Sequence, residues 1–246
     1  REYGTPDAPA SVAKNVLKKV NRISRSHDKL RRTAMYTCLF GTTYAPSGAT
    51  QYVKNFATEF EVTADVAADI AIDFTDANLD PSLAIEVKAR EHIQDKAQDD
   101  AGSYEVVCLA GSGWFNSFVN HPLVQAGYDT FSSDQLPLRK RLAGDNGNAV
   151  GRVFEHKGVT YIEDVSKLIA RDEAYVLPMG IADMFIVQYA PADTLEHANT
   201  TAEAMYIFME ESRRAATIES ETSFICVNTR PELVVASKGN TLLPDA

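Results

Sequence analysis

The chain has 246 residues, 45% of them hydrophobic and 24% charged, with a formal net charge of −10. That is enough apolar material for a core without a metal or disulfide staple, and too acidic a balance for a general nucleic-acid binder. No run of eighteen apolar residues occurs, so no segment reads as a membrane helix.

Cys38, Cys108 and Cys226 lie far apart in apolar runs and read as buried thiols of a reducing compartment. There is no signal peptide, and the opening at Arg1 instead of Met predicts that upstream residues have been removed. The charge is uneven. Residues 1–33 hold nine Lys or Arg against three acids, which leaves +6 there and −16 over the remainder. Such a segment is either a solvated face or a surface for a polyanion.

Val12, Val16, Val20, Ile23, His27, Leu30 and Ala34 recur at steps of four and three, the stripe of one long helix from Ala8 to Leu39. At ~1.5 Å per residue it spans about 48 Å. Gly41 stands where a helix C′ glycine belongs. From Gly41 to Phe74 the pattern predicts turns and short strands around Phe56, Phe60 and Val62. Asp80 and Pro81 are the N-cap and first residue of a second helix, which runs to about Ala101 before Gly102. Glu105 to Leu109 reads as a short buried strand, followed by Gly111-Ser-Gly-Trp-Phe and a helix broken at His121-Pro122.

Asp129 to Val150 is turn-rich and charged, with Gly144 to Gly147 an exposed loop tip. Strands are expected at Val153 to His156, Val159 to Ile162, Ala174 to Leu177 and Met184 to Tyr189, with a Pro-Met-Gly turn after the third. Extended segments follow near Arg213 to Ile218, Phe224 to Asn228 and Leu233 to Ala236. The pattern is that of an α+β chain without internal repeats.

A search for chemistry returns little. Asp76, Asn78 and Asp80 begin like a calcium loop, but Pro81 occupies the required glycine and Val87 the required glutamate. Gly111-Ser112-Gly113 follows a strand and opens a helix, yet neither a phosphate loop nor a nucleophile elbow is complete, and Ser112 reads as a helix cap. The histidines His27, His92, His121, His156 and His197 do not occur in pairs at metal spacing. No catalytic, cofactor or metal residues are assigned.

The segments after Tyr104 resemble, in order, the lambda-type major capsid proteins of tailed bacteriophages, the major capsid protein E family. Asn120, His121 and Val124 match the phrase that ends its helix. His156 to Tyr161 match a hairpin, and Ala174, Tyr175, Pro178 and Gly180 match a turn. Tyr189, Ala190, Pro191, Ala192, Asp193, Glu196 and Asn199 match a longer phrase, and Arg230 to Val235 a final one. Upstream, the basic helix ending at Phe40-Gly41 resembles the family's spine helix, and Gly41 to Gly48 the turn after it.

The resemblance implies a Hong Kong 97-type capsid fold. The peripheral domain would hold 1–75, with the spine helix at about 8–40, and 188–246; the axial domain would hold 76–187. The family's N-terminal arm and extended loop are missing ahead of Arg1 to Gly4, which resembles the tail of that loop. The implied function is a non-enzymatic major capsid protein, assembling as hexamers and pentamers into an icosahedral shell around double-stranded DNA. It would reside in the virion, and in host cytoplasm during assembly. Partners are other copies of the chain, scaffolding and decoration proteins, and packaged DNA touched weakly by Lys18, Arg22, Arg25 and Lys29; no membrane is involved. Asp134 to Asn148 is expected near a symmetry axis, so deleting Gly144 to Gly147 should block assembly and leave the fold.

Three alternatives stand beside this reading. One is an encapsulin-like or gene-transfer-particle shell. Another is a serine hydrolase using Ser112 with His121 or His156. The third is a nucleic-acid binder acting through residues 14–32.

Overall fold

The computed structural model describes residues 9–43, 54–55, 59, 70–97, 104–130, 151–197, 199–211 and 216–240. The expected strands at Phe56, Phe60 and Val62, and the loop from Asp134 to Asn148 with its tip at Gly144 to Gly147, lie outside them. The chain clusters into two compact units: 1–38, 42–54 and 185–227 in one, and 39–41, 55–184 and 228–246 in the other.

The first unit is built on helix α1, Pro9–Leu39. Its length follows from an unbroken step of three and four apolar residues, with no glycine or proline after the first turn. Val16, Val20, Ile23, His27 and Leu30 are half-buried and Ala34 and Cys38 are buried, so the predicted stripe is the packed face. Gly41, at φ +76°, takes the left-handed conformation that closes the helix. The strands of this unit are β1, Thr42–Thr43, and β2, Lys54–Asn55, which pair, and then β8 to β11. β8 is Phe185–Ala190 and β11 Ser223–Asn228, and they are neighbours.

Where one extended segment was expected near Arg213 to Ile218, there are two strands. β9, Tyr206–Glu211, and β10, Ala216–Glu221, pair antiparallel from Ala216 opposite Glu211 to Glu221 opposite Tyr206. The upstream strand was hidden because Tyr206, Phe208 and Glu210 alternate with Ile207 and Met209, with no clean polar face. His27 Nε2 lies 2.8 Å from Ser220 Oγ, and Arg31 donates to the Tyr189 hydroxyl at 3.3 Å, so α1 is fastened to both β10 and β8.

The second unit holds a six-stranded sheet in the order β3-β12-β7-β4-β6-β5. Its strands are β3 Ile70–Asp73, β4 Glu105–Ala110, β5 Val153–His156, β6 Val159–Glu163, β7 Glu173–Met179 and β12 Val235–Asn240. β12 runs parallel to β3 and antiparallel to β7; β4 runs antiparallel to β7 and parallel to β6. β5 and β6 form a hairpin closed by Lys157 and Gly158, both at positive φ, the two-residue turn whose twist matches the strands.

Two expectations change here. β7 continues through Pro178 to Met179, where a turn was expected after Leu177. Proline is tolerated because β12 reaches only to Val176 on that side, leaving no partner for the missing amide. Leu233 to Ala236 is not all strand: Pro231–Leu233 makes a turn of 3₁₀-helix before β12.

The second helix, α2 (81–97), is α-helical over Pro81–Ile85, π-helical over Glu86–Arg90 and α-helical over Glu91–Ala97. Its buried residues Ile85, Ala89, Ile93 and Ala97 recur every four positions. In a regular helix that spacing drifts by about 40° per step. The wider π turn counters the drift and keeps the four on one line.

Helices α3, Ser112–Val119, and α4, Pro122–Thr130, complete the unit. The core is aromatic. Trp114 stacks on Phe118 at 5.2 Å, Phe118 on Tyr161 at 4.3 Å, and Phe74 meets Trp114 edge-on at 5.4 Å. The Trp114 indole N–H donates to Ser237 Oγ at 3.3 Å, and Ser237 donates onward to the Ile70 carbonyl at 3.2 Å. A buried hydroxyl thus satisfies both α3 and β3.

Candidate interaction surfaces

The cationic residues of α1 are ordered. Lys14, Lys18, Arg22, Arg25, Lys29 and Arg32 follow one another at steps of four, four, three, four and three, and all six are exposed. At about 100° per residue they fall within an arc of about 80°, opposite the packed stripe, and span about 27 Å. Asp28 is the lone acid between 14 and 32, and it is held by Arg31 at 2.9 Å. Among the described residues none of the six has an anionic partner. Like charges at these spacings each cost a helix about 0.2–0.5 kcal/mol. The row therefore persists against its own repulsion. The four residues expected to face a polyanion are all in it, and Lys14 and Arg32 extend it.

In the sheet-bearing unit a second row is apolar. Leu83 and Val87 are 53% and 45% exposed, four residues apart on the outer side of α2, and Leu79, just ahead of the cap, is 46% exposed. Asp80, between Leu79 and Leu83, caps the helix: its Oδ1 accepts from the Ser82 amide at 2.9 Å and the Ser82 hydroxyl at 2.6 Å. The next helical turn keeps Ile85 fully buried, so the helix separates an inner row from an outer one. In the helix-bearing unit Ile207 and Met209 stand 40% and 54% exposed on β9.

The residues weighed for chemistry are occupied structurally. Ser112 is the first residue of α3 and exposed; Gly111, with extended backbone, is the N-cap, and only glycine fits there because a Cβ would run into the Ala170 carbonyl oxygen. His121 is fully buried, its Nε2 3.1 Å from the Asp76 carbonyl. His156 stacks on Phe154 at 5.9 Å, and burial, with the Lys157 ammonium beside it, lowers its pKa. No hydrogen bond joins Ser112 to either histidine among the described residues.

His92 meets the Glu232 carbonyl at 2.9 Å, and His197 meets Thr194 Oγ1 at 2.9 Å. Asp76 accepts from the Asn78 amide, and Lys157 Nζ sits 2.9 Å from Asp80 Oδ2, an ion pair where a calcium loop was considered. Among the described residues no group of three or more His, Cys, Asp or Glu could hold a metal, and no helix is long and apolar enough to cross a membrane. The thiols are buried; burial pushes Cys38 up to about 12 and Cys108 and Cys226 upward as well.

Comparison with known proteins supplies what such a molecule is related to. The family model for phage major capsid protein E matches residues 1–238. The major capsid protein of Pseudomonas phage KPP10 is 29% identical over 241 residues, a span of 90% of this chain and 67% of that one. Among solved structures, a prophage protein of E. coli CFT073 described as a capsid protein superposes with a TM-score of 0.54 at 17% identity, over 98% of this chain and 72% of its own. The capsid of Cyanophage P-SCSP1u aligns at 8% identity with a TM-score of 0.47, over 98% of this chain and 68% of its own. The mixed helix-and-sheet fold is that of a phage capsid protein.

Proposed function

Because this chain belongs to the phage major capsid protein E family, we propose that it self-associates into hexamers and pentamers of a Hong Kong 97-type icosahedral shell that encloses double-stranded viral DNA. The observation that carries the proposal is the apolar outer edge of α2, where Leu83 and Val87 stand exposed on either side of the fully buried Ile85, with Leu79 exposed just ahead of the helix cap. In a capsomer ring each copy meets the next through two different patches related by rotation, and an apolar helix edge is one such patch. The other copy of this chain is its occupant.

The unit carrying α1 and β8 to β11 takes the peripheral role on this reading. The six-stranded sheet takes the axial role, drawing β3 and β12 from the flanks of the 76–187 segment. Assembly takes place in the host cytoplasm, with scaffolding and decoration proteins as further partners.

The test is assembly itself. Purified protein should give rings or shells by electron microscopy. Leu83→Glu with Val87→Glu should leave monomers whose Tm stays within about 3 °C of wild type, since both side chains are exposed. Normal particle yield from that double variant would overturn the assignment of this row. Deleting Gly144 to Gly147 should likewise give folded subunits that form no particles.

A further inference from the structure

We infer that the cationic row of α1, from Lys14 to Arg32, is a docking track for the phosphate backbone of duplex DNA, and that this row is the surface each subunit turns toward the packaged genome. The inference rests on the shell reading, which supplies an enclosed polyanion, and deepens it by naming the residues that meet it.

Three observations point to nucleic acid and away from an acidic protein segment. The first is composition. Between Lys14 and Arg32 the arc holds the six cations and no other side chain; Asn15, Thr33 and Ser26 flank one edge and Asn21 and Asp28 the other, and the exposed Leu17 lies about 60° outside it. Protein partners are held by a desolvated apolar or aromatic centre inside a polar rim. Phosphate backbones are held by Lys and Arg with polar side chains alongside, without an apolar centre.

The second observation is spacing. Neighbours along the row rise by about 4.5–6 Å on the helix axis, less than the ~8 Å over which salt screens charge at physiological strength. Six like charges inside each other's screening distance form a single linear electrode, which a linear array of phosphates complements. A scattered set of surface lysines lacks this property.

The third observation is the rest of the molecule. Beyond residue 33 the chain carries −16, so DNA is repelled elsewhere and attracted along α1. The packed stripe of the helix lies on its opposite side, so the cations cannot turn inward to find partners. Charge distribution thus orients the subunit over the polyanion. No base is read in such a contact, which suits a shell that must hold any sequence.

The experiment measures binding of a fluorescein-labelled 30-base-pair duplex to the purified full chain by anisotropy, between 50 and 200 mM NaCl. Four to six phosphate contacts predict a slope of log K against log salt of about −3.6 to −5.4, a loss of about 10²- to 10³-fold over that range. Lys18→Gln, Arg22→Gln and Lys29→Gln combined should shallow the slope by about 2.7, at ~0.9 per phosphate. Lys18→Arg should leave it unchanged, and circular dichroism checks that the exposed substitutions keep the helix.

A slope that the triple variant does not alter overturns the inference. So does tighter binding of poly-L-glutamate than of the duplex, which would assign the row to an acidic protein. Electron microscopy of the same preparations separates this from the shell reading. Wild-type protein that forms particles yet shows no salt-dependent DNA binding sinks the track and spares the shell; protein that binds DNA but never assembles does the reverse.

Discussion

Lys157 Nζ lies 2.9 Å from Asp80 Oδ2, so the turn between β5 and β6 is tied to the first residue outside α2. The same carboxylate caps the helix through Ser82. Asp80→Ala should therefore cost about 1–2 kcal/mol, read as a lower urea midpoint, because the cap is lost and a buried amide is orphaned. Lys157→Met should cost under about 1 kcal/mol, since the pair is partly exposed and screened. Equal losses from the two variants would show that the ion pair, not the cap, carries the contribution.

Acid should weaken the sheet-bearing unit. Burial pushes Asp80 and Asp164 up. Hydrogen bonds outweigh it in both, from Ser82 and Lys157 for Asp80 and from the hydroxyl and amides of Ser166, Leu168 and Ile169 for Asp164, so both carboxyls titrate below their ordinary range. Glu163 is lowered by Arg152, which donates to it at 2.7 Å and 2.9 Å. A carboxyl lowered on folding contributes stability that is complete above its unfolded pKa, near 4, and lost as pH falls through the folded value. Stability by urea titration should hold from pH 7 to about 5 for these groups and decline below 4, less steeply in Asp164→Asn, which starts lower.

His156 works at higher pH in the same sense. Burial first, then Lys157, lowers its pKa, partly offset by Asp80 and Glu86. The unfolded chain binds this proton more readily, so stability is complete above about pH 6.5 and falls as pH drops through that value toward the folded pKa. His156→Phe should flatten the curve between pH 7 and 5. A slope there that the variant leaves unaltered would assign the effect to another group.

Two glycines should respond differently to the same methyl group. A Cβ on Gly111 would lie 2.0 Å from the Ala170 carbonyl oxygen, backbone that cannot swing away, whereas a Cβ on Gly41 meets open space. Gly111→Ala should cost about 3 kcal/mol or more. Gly41→Ala should cost about 1 kcal/mol, all of it from the positive φ. Thermal melts of both variants check the ranking.

The three thiols should be silent in the folded chain. Cys38, at about 12, and its two buried counterparts hold almost no thiolate at pH 8. A thiol reagent added to native protein should label none of them within minutes, and all three in 6 M guanidinium. Fast labelling of one site would mark local opening there.

Much of the fold was legible because periodicity speaks directly to burial. The stripe from Val16 to Ala34 predicted α1 and its packed face, and Asp80-Pro81 predicted where α2 begins. The alternation at Val153 and Val159 located β5 and β6. The π turn was not legible: a step-four row at Ile85, Ala89 and Ile93 fits a regular helix on paper, and its drift appears only over several turns. β9 was missed because both of its faces carry large apolar side chains. Pro178 was misread as a stop because sequence does not reveal that β12 leaves that edge open.

The candidate surfaces were half legible. Lys18, Arg22, Arg25 and Lys29 stood out by charge, and the family match bears out the resemblance that drew attention to them. Leu79, Leu83 and Val87 did not stand out, because apolar residues beside a helix cap look like core until exposure is known.

The position of β12 has a consequence for how the subunit comes into being. It is drawn from 235–240 and lies between β7 and β3, so β3, made some 165 residues earlier, has no neighbour among the described strands until it arrives. Ribosomes add about 5–20 residues per second, so this strand waits on the order of ten seconds for its mate. A nascent chain that stops short of residue 235 therefore carries an unclosed sheet, and the order of synthesis makes the closing of this sheet a late event in folding.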